Sequence, residues 1–590
     1  MPPTLVIKFR LQLIAMELTP DAIARVVHPT AAYVSALHVS SALCLESDDT
    51  LTSWNDSPLN PKNRIDSLDK VLIPKWRIDG CTGCGTQFFT VPLFFTKLSP
   101  MRIDTFIPEQ SRHPKFLRNI LGLDTAFHMK DSRIEELGVS RHILRTLEYW
   151  THHYPGFEAV YNNLPFGSRI VFENLTTNIR DIRIQIVPTH FLERQLMSLT
   201  SLQSLWNLPA SSFPELVDIS QVQLLRQLYE SVSLVQFETP QGLQIRTFKA
   251  LTSYPKYIYH ELKVLLTLPP HPNIISKPSH LVIKKCGFGG KTAVVGFMTE
   301  YQPLGTLQAL LPFRRIHNTL RYVDQLKWAI QLTSALVHIS EHGRFYSDLR
   351  LDNILLSATE DLVMVDFEQR GVWCGFAAPE VNYLDQVYML AADSTIPRSV
   401  KGEYDMLMQR FMKGYEKLQK QVYQDPEHGY YIPWLCLSSK EREAATVYML
   451  GRVLWCIFEG LSNPEVAVWQ SYPHESELEF PDYRNTPSNL RMLIDQCTKG
   501  RNVSGNQGAT VRKGNSLILR EGDGTETMTA VQNEARRWWR KELSEAKEFL
   551  KNRESGQLHN GARSCFDRIK LKEVLIILET FQAGANSFQD

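Results

Sequence analysis

The stretch FYSDLRLDNILLSATEDLVMVDFEQRG, residues 345–371, decides how the rest of the chain is read. It places Asp348, then Asn353 five positions on, then the apolar run LVMV ending in a second acid, Asp366. Two carboxylates and an amide on a loop and a strand end suit a phosphate-handling site. Just upstream, QLKWAIQLTSALVHISEHG (325–343) carries Leu326, Ala329, Ile330, Thr333, Leu336 and Val337 at helical spacing. Gly343 then fits the position just past the end of that helix.

Further upstream the pattern turns β-rich. VQLLRQLYESVSLVQFE and GLQIRTFKAL read as strands joined by ETPQG. YPKYIYHELKVLLTL reads as an amphipathic helix with Tyr257, Glu261, Val264 and Leu265 on one face. A loop HPNII follows, then strands SHLVIKK and KTAVVGFMTEY. Downstream, AAPEV (377–381) precedes a stretch with MQRFMKGYEKLQKQVYQDP (408–426), expected as an amphipathic helix. ATVYMLGRVLWCIFEG (445–460) reads as a long buried helix and DRIKLKEVLIILE (567–579) as a final one. Between them lie Gly-rich NVSGNQGATVRKGN and the charged helix EARRWWRKELSEAKEFLKN (534–552), which carries Trp538 and Trp539.

A small β-rich part with one helix, followed by a helical part, resembles the eukaryotic protein kinase family over roughly residues 217–583. The resemblance implies an α+β, two-lobed fold: an N-lobe at 217–301 and a C-lobe at 302–583 with inserts near 382–440 and 502–560. It implies that Asp348 orients the attacking hydroxyl and accepts its proton, while Asn353 and Asp366 hold Mg²⁺ on ATP. Arg350 stands where many members have a Lys that reaches the transferred phosphate, keeping the charge with another geometry. Lys249 and Glu261 match the ion pair that aligns the phosphates, and their separation of 12 residues implies a short loop before the helix. Glu300 and Tyr301 fall at the hinge beside the nucleotide. Glu380 implies a structural pair with Arg568.

Several positions depart from the family pattern. Tyr346-Ser347 replaces His-Arg before Asp348, which removes the usual clamp for a phosphorylated activation loop. Glu368 replaces the Gly of Asp-Phe-Gly, where its backbone freedom is smaller. Its carboxylate would either add a metal ligand or repel phosphate. Thr446 replaces an Asp that braces the catalytic loop. LYESVSLVQF (228–237) has no glycine where a Gly-rich loop closes over phosphates, with Tyr229 and Ser231 at the first two sites. QRGVWCGFA (369–377) contains no Ser, Thr or Tyr, so activation-loop phosphorylation is not an expected switch. Two expectations follow: a divergent Ser/Thr protein kinase, or a pseudokinase that binds nucleotide or partners as a scaffold. Substrate docking through the first insert is a further expectation.

Composition fits this picture without specifying it. The 590 residues are 43% hydrophobic and 22% charged with net charge +1, so no global field points to nucleic acid. Nine scattered cysteines favour a reducing, intracellular compartment, cytoplasm or nucleus. Cys81 and Cys84 have CxxC spacing without a second pair, which reads as a turn with two free thiols rather than a zinc site. No apolar run is long enough to span a bilayer, and no secretory signal is read at the start, where Met16 is an alternative first residue. Residues 1–205 mix loop such as LTSWNDSPLNPKN (51–63), a helix over 134–154 and strands RIVFENL and IRIQIVP, with no motif that implies a function.

Overall fold

The computed structural model describes residues 73–586 apart from 82–86, 95–102, 107–137, 175–177, 189, 230, 251–253, 288, 374, 393–397, 419–422, 466–474, 477, 501–509, 514–515, 520–527 and 556–566. Met16, the loop at 51–63 and Cys84 of the CxxC pair lie outside the described residues.

The first sheet runs in sequence order. Its strands are β1 (Trp76–Cys81), β2 (Gln87–Pro92), β3 (Ile103–Phe106), β4 (Arg169–Phe172) and β5 (Ile184–Val187), antiparallel except for β3 with β4. Between β3 and β4 come helices α1 (Gly138–His153) and α2 (Phe157–Asn163). The helix and both strands expected in this region are therefore present. Ile143 and Leu147 of α1 are buried together with Trp76, Phe88, Phe157 and Tyr161, an aromatic-rich core with little water access. Two short helices, α3 (His190–Gln195) and α4 (Leu199–Trp206), lead out of this unit. Ser198 caps α4 by accepting from Ser201 N–H.

The second sheet is built by alternation. Its strands are β6 (Glu215–Asp218), β7 (Gln223–Gln227), β8 (Val232–Thr239) and β9 (Gly242–Ala250), then, beyond helix α5 (Pro255–Thr267), β10 (His280–Lys285) and β11 (Thr292–Thr299). They are ordered β6-β10-β11-β9-β8-β7, with β6 and β10 parallel. In β8 the inward set Ser233, Val235 and Phe237 is buried while its neighbours are half-exposed, the period-2 pattern of a strand with one covered face. Lys249 lies on the interior strand β9, paired with Val232 on β8 and Phe297 on β11. Gly296 makes that close pairing possible, since a Cβ there would sit 2.1 Å from the Lys249 carbonyl oxygen. Four residues separate β9 from α5, as the short Lys249–Glu261 spacing predicts.

The remainder is mostly helical. A small sheet β12 (Gly305–Thr306), β13 (Ile354–Leu356) and β14 (Leu362–Met364) forms around α6 (Leu307–Ile316) and α7 (Tyr322–Glu341). Gly343 adopts φ +67, as expected for a residue that ends α7. Next are α8 (Pro379–Ala392), α9 (Arg398–Phe411), α10 (Ile432–Leu435), α11 (Ser439–Glu459) and α12 (Ser488–Cys497). A hairpin β15 (Thr510–Lys513) and β16 (Ser516–Leu519) precedes α13 (Met528–Glu554) and α14 (Leu571–Asn586). Helix α11 opens with a capping box, Ser438 with Glu441, and is buried along almost its whole length. The helix expected over 408–426 is a correction: α9 stops at Phe411, Gly414 turns the chain at φ +72, and Tyr423–Asp425 is not helical. Helix α13 packs on α8, where Phe549 meets Tyr383 at 5.5 Å between ring centroids. The expected mixed α+β class is what the chain adopts.

Candidate functional site

Strand β9, helix α5 and the chain after β14 converge on one ammonium. Lys249 Nζ lies 2.5 Å from Glu261, 2.6 Å from Asp366 and 2.9 Å from Glu368. Burial, the largest single influence, favours a neutral amine, but the three carboxylates outweigh it and hold the Lys249 pKa well above its usual value. Glu261 is pushed up by burial and by the acids beside it, against the pull of Lys249. Asp366 is held down although it is partly withdrawn from water, because Lys249 bonds to it directly. Carboxylate oxygens of Glu261, Asp366 and Glu368 all lie within 4.8 Å of one another. The sequence-predicted Lys249, Glu261 and Asp366 are thus brought together.

Glu368 joins them at a position where sequence reasoning left its direction open. Glu368 does not itself take a glycine-like φ: Asp366 at φ 67 and Gln369 at φ 51 hold the left-handed conformations. Glu368 also bonds Arg370 at 2.9 Å, whose guanidinium lies 5.0 Å from the Tyr257 ring centre. Phe367 N–H donates to Glu261 at 3.2 Å, so the segment is tied to α5 through both backbone and side chain.

The loop before β13 supplies the second group. Asn353 Nδ2 donates to the Asp348 carbonyl at 2.9 Å and to its carboxylate at 3.2 Å. Arg350 folds back between Asp348 (3.3 Å) and Asp352 (3.2 Å). Burial pushes Asp348 up to about 6; Arg350 opposes this, and Asp366 and Asp352 add to it. Asp348 and Asp366 therefore share one electrostatic environment although they bond different cations. Val365 N–H donates to the Asn353 carbonyl, and the Tyr346 hydroxyl donates to Val365 O at 2.5 Å.

Tyr346 and Ser347, departures in the sequence, have structural work here. Tyr346 is buried against Phe367, with ring centroids 5.1 Å apart. Ser347 donates both N–H and hydroxyl to Gln369 Oε1, at 2.9 and 2.7 Å, while Gln369 Nε2 donates to Phe345 O. A neutral amide ties the two loops together in place of a charged clamp. Its sequence signal was available: an amide three residues after Asp366 with a hydroxyl at position 347.

The remaining expected residues sit apart from the ion-pair network. Glu300 is exposed and borders a cavity of about 200 Å³ with Leu265, His271, Ile274, Gln302 and Val363; Tyr301, the next residue, is half-buried and does not line it. Thr446 bonds the Arg442 carbonyl of its own helix. Glu380 and Arg568, both with fully buried side chains, form two contacts of 2.5 and 3.2 Å, and Arg568 also donates to Lys499 O and Ala444 O.

The first sheet reaches the glycine-free turn after β7. Asp79 accepts from Gln227 N–H at 2.7 Å, and Arg77 donates to Leu225 O at 2.9 Å. Phe89 lies 6.4 Å from Tyr229 between ring centroids. Strand β7 is an edge strand, so these side chains occupy backbone groups that an edge leaves open. Nothing in the sequence of β1 signals this contact.

No family model matches the chain. A serine/threonine-protein kinase-like protein of Arabidopsis thaliana is 25% identical to it over 154 residues, which are 25% of this chain and 41% of the relative. The chain therefore matches less than half the length of that relative. Placed beside the site geometry, this likeness supports a kinase-like relationship.

Proposed function

We propose that the chain is a divergent kinase-like enzyme that transfers the γ-phosphate of ATP to Ser or Thr hydroxyls of proteins in a Mg²⁺-dependent reaction. The observation that carries this reading is the convergence of Glu261, Asp366 and Glu368 on Lys249 beside the Asp348–Asn353 loop. In this reading residues 217–301 and 302–583 form two lobes with the nucleotide between them, and Glu300 and Tyr301 contact its base. Lys249 orients the phosphates. Asp348 takes the proton of the attacking hydroxyl as its oxygen bonds the γ-phosphorus and the bond to ADP breaks.

The donors fit a divalent ion. Among the described residues, the linked acids Glu261, Asp366, Glu368, Asp348 and Asp352 outnumber the cations Lys249, Arg350 and Arg370 by two. Asn353 and Asp366 offer the oxygen ligands that Mg²⁺ prefers, and the ion would neutralise phosphate charge there. Partners would be protein substrates. Cys286, Cys436, Cys456 and Cys497 are free thiols, in keeping with a reducing, intracellular compartment.

A second reading rests on Glu368. Its carboxylate already occupies Lys249, and the turn at 228–231 lacks glycine, so a nucleotide-binding or scaffold role without turnover is the alternative. Radiolabelled γ-phosphate transfer to a generic basic protein separates the two. The enzyme reading expects Mg²⁺-dependent transfer that Asp348→Ala abolishes. No transfer, with ATP·Mg²⁺ still raising the unfolding midpoint, assigns the scaffold role. Transfer undiminished in Asp348→Ala overturns the assignment of the base.

A further inference from the structure

Helix α5 carries Lys256, His260, Glu261 and Lys263, a polar set expected to leave one face in water. Not one of its residues is exposed. The cover comes from outside the strands that flank it. Lys263 Nζ makes two bonds to Asp425, at 2.7 and 2.9 Å, and Lys256 Nζ donates to Leu418 O at 3.0 Å. Lys256 also lies 5.0 Å from the ring centres of Tyr257 and Tyr430. The Tyr423 ring lies 5.6 Å from Tyr259, and its hydroxyl donates to Asp425 at 3.0 Å while accepting from Trp206 Nε1 at 2.7 Å. Tyr259, buried, accepts from Met197 N–H and donates to Val294 O.

Two backbone features show that this cover is specified. Asp425 holds φ +53, a left-handed conformation that strains a non-glycine residue and persists where neighbours fix it. Gly429 holds φ +81, and a Cβ on it would lie 3.1 Å from His260 Nε2 and 3.0 Å from Gln369 Cβ. The segment thus threads between α5 and the chain just past Asp366, touching the carriers of Glu261 and of Glu368.

We propose that residues Tyr423–Tyr430 of the first insert are a built-in strap that fixes α5 where Glu261 meets Lys249, with Lys263, Asp425 and Gly429 as positioning residues. The strap does by covalent connection what a reversible clamp on the activation segment would otherwise do. It agrees with the absence of any hydroxyl between Gln369 and Ala377 and with the neutral Ser347–Gln369 tie. It also gives the insert a use on its own chain rather than as a substrate dock. Its value for phosphate binding rests on the function proposed above; its effect on α5 does not.

The test uses the full chain with Lys263→Ala, Asp425→Ala, the double variant and, as the milder change, Lys263→Arg. Amide hydrogen exchange is followed in the absence of nucleotide. Exchange over residues 256–267 should quicken at least tenfold in each alanine variant, no further in the double variant, and by less than threefold in Lys263→Arg. Helix α14 should be unchanged. With ATP·Mg²⁺, the ligand-induced rise in midpoint should shrink more than the midpoint itself and return in Lys263→Arg. Exchange over 256–267 within twofold of wild type, or quickened equally in α14, overturns the strap. If wild type shows no ATP response while exchange behaves as expected, the strap stands and the nucleotide reading falls.

Discussion

Two buried charge centres in this protein follow opposite rules. Glu380 and Arg568 are one acid and one base, both sealed from solvent, and the remaining Arg568 donors reach the carbonyls of Lys499 and Ala444. Lys249 is one base facing three acids, and Asp366 keeps about 29% of its side chain exposed. The first centre is complete and can do nothing more than hold α8 to the start of α14. The second is incomplete in charge and open on one side, which is what a site needs if it is to gain from taking in another ion.

The largest effect expected from breaking this contrast is at the complete centre. Arg568→Ala leaves Glu380 buried without a partner and should cost about 3–5 kcal/mol. Urea unfolding would show the midpoint fall, and neither ATP nor Mg²⁺ should narrow its distance from the wild-type midpoint. Lys249→Ala should cost less, about 2–3 kcal/mol, because its three acids can share protons or accept another cation. Adding Mg²⁺ should narrow the gap in midpoint between Lys249→Ala and wild type and leave the gap between Arg568→Ala and wild type as it is. Equal recovery in both would mean that the open centre is no different in kind from the closed one.

Charge imbalance alone does not make a site, and Glu542 sharpens the point. It is buried in the seam between α13 and α8, near Gln386, Tyr383, Glu545 and Lys541. Burial, followed by Glu545, pushes it up to about 7. An acid whose folded pKa lies above its unfolded value leaves the fold unpenalised below about pH 4.5 and weakens it as pH rises through about 7. Glu542→Gln should therefore gain on the order of 2 kcal/mol over wild type at pH 8, with the difference closing towards pH 4.5. Thermal unfolding across that range measures it. A gain that does not depend on pH would point to packing rather than charge.

What was legible in the sequence follows from the same distinction. Strand alternation and the long buried α11 could be read because local pattern carries them, and the Lys249, Glu261, Asp348, Asn353, Asp366 and Arg568 positions were singled out by the motifs of the kinase resemblance. The direction of Glu368 could not, since it depends on which backbone units take positive φ, and these proved to be Asp366 and Gln369. The break in the expected helix 408–426 was hidden because its apolar and basic residues do have helical spacing. Tyr423 and Tyr430 nevertheless serve the surface of α5, and tertiary packing overrode local preference. The hold of Asp79 and Arg77 on β7 spans 148 positions of sequence, far beyond any local pattern.

The smallest expected change in stability is at Glu368, and it bears most directly on whether the open centre is a site. Glu368→Gln keeps the size and a hydrogen-bonding oxygen while removing one of three charges on Lys249. Lys249 retains Glu261 and Asp366 and is left with no unmet charge, so the midpoint should move by about 1 kcal/mol. Arg370 loses its ionic partner, but it remains half-exposed and stacked on Tyr257. A phosphate approaching Lys249 then meets one carboxylate fewer. Removing a single charge of that kind is worth about 1.4 kcal/mol, so ATP should bind about tenfold more tightly. Calorimetric titration with and without Mg²⁺ measures this. Weaker binding confined to the Mg²⁺ arm would instead identify Glu368 as a ligand of the ion, and binding unchanged in both arms would place the phosphates elsewhere.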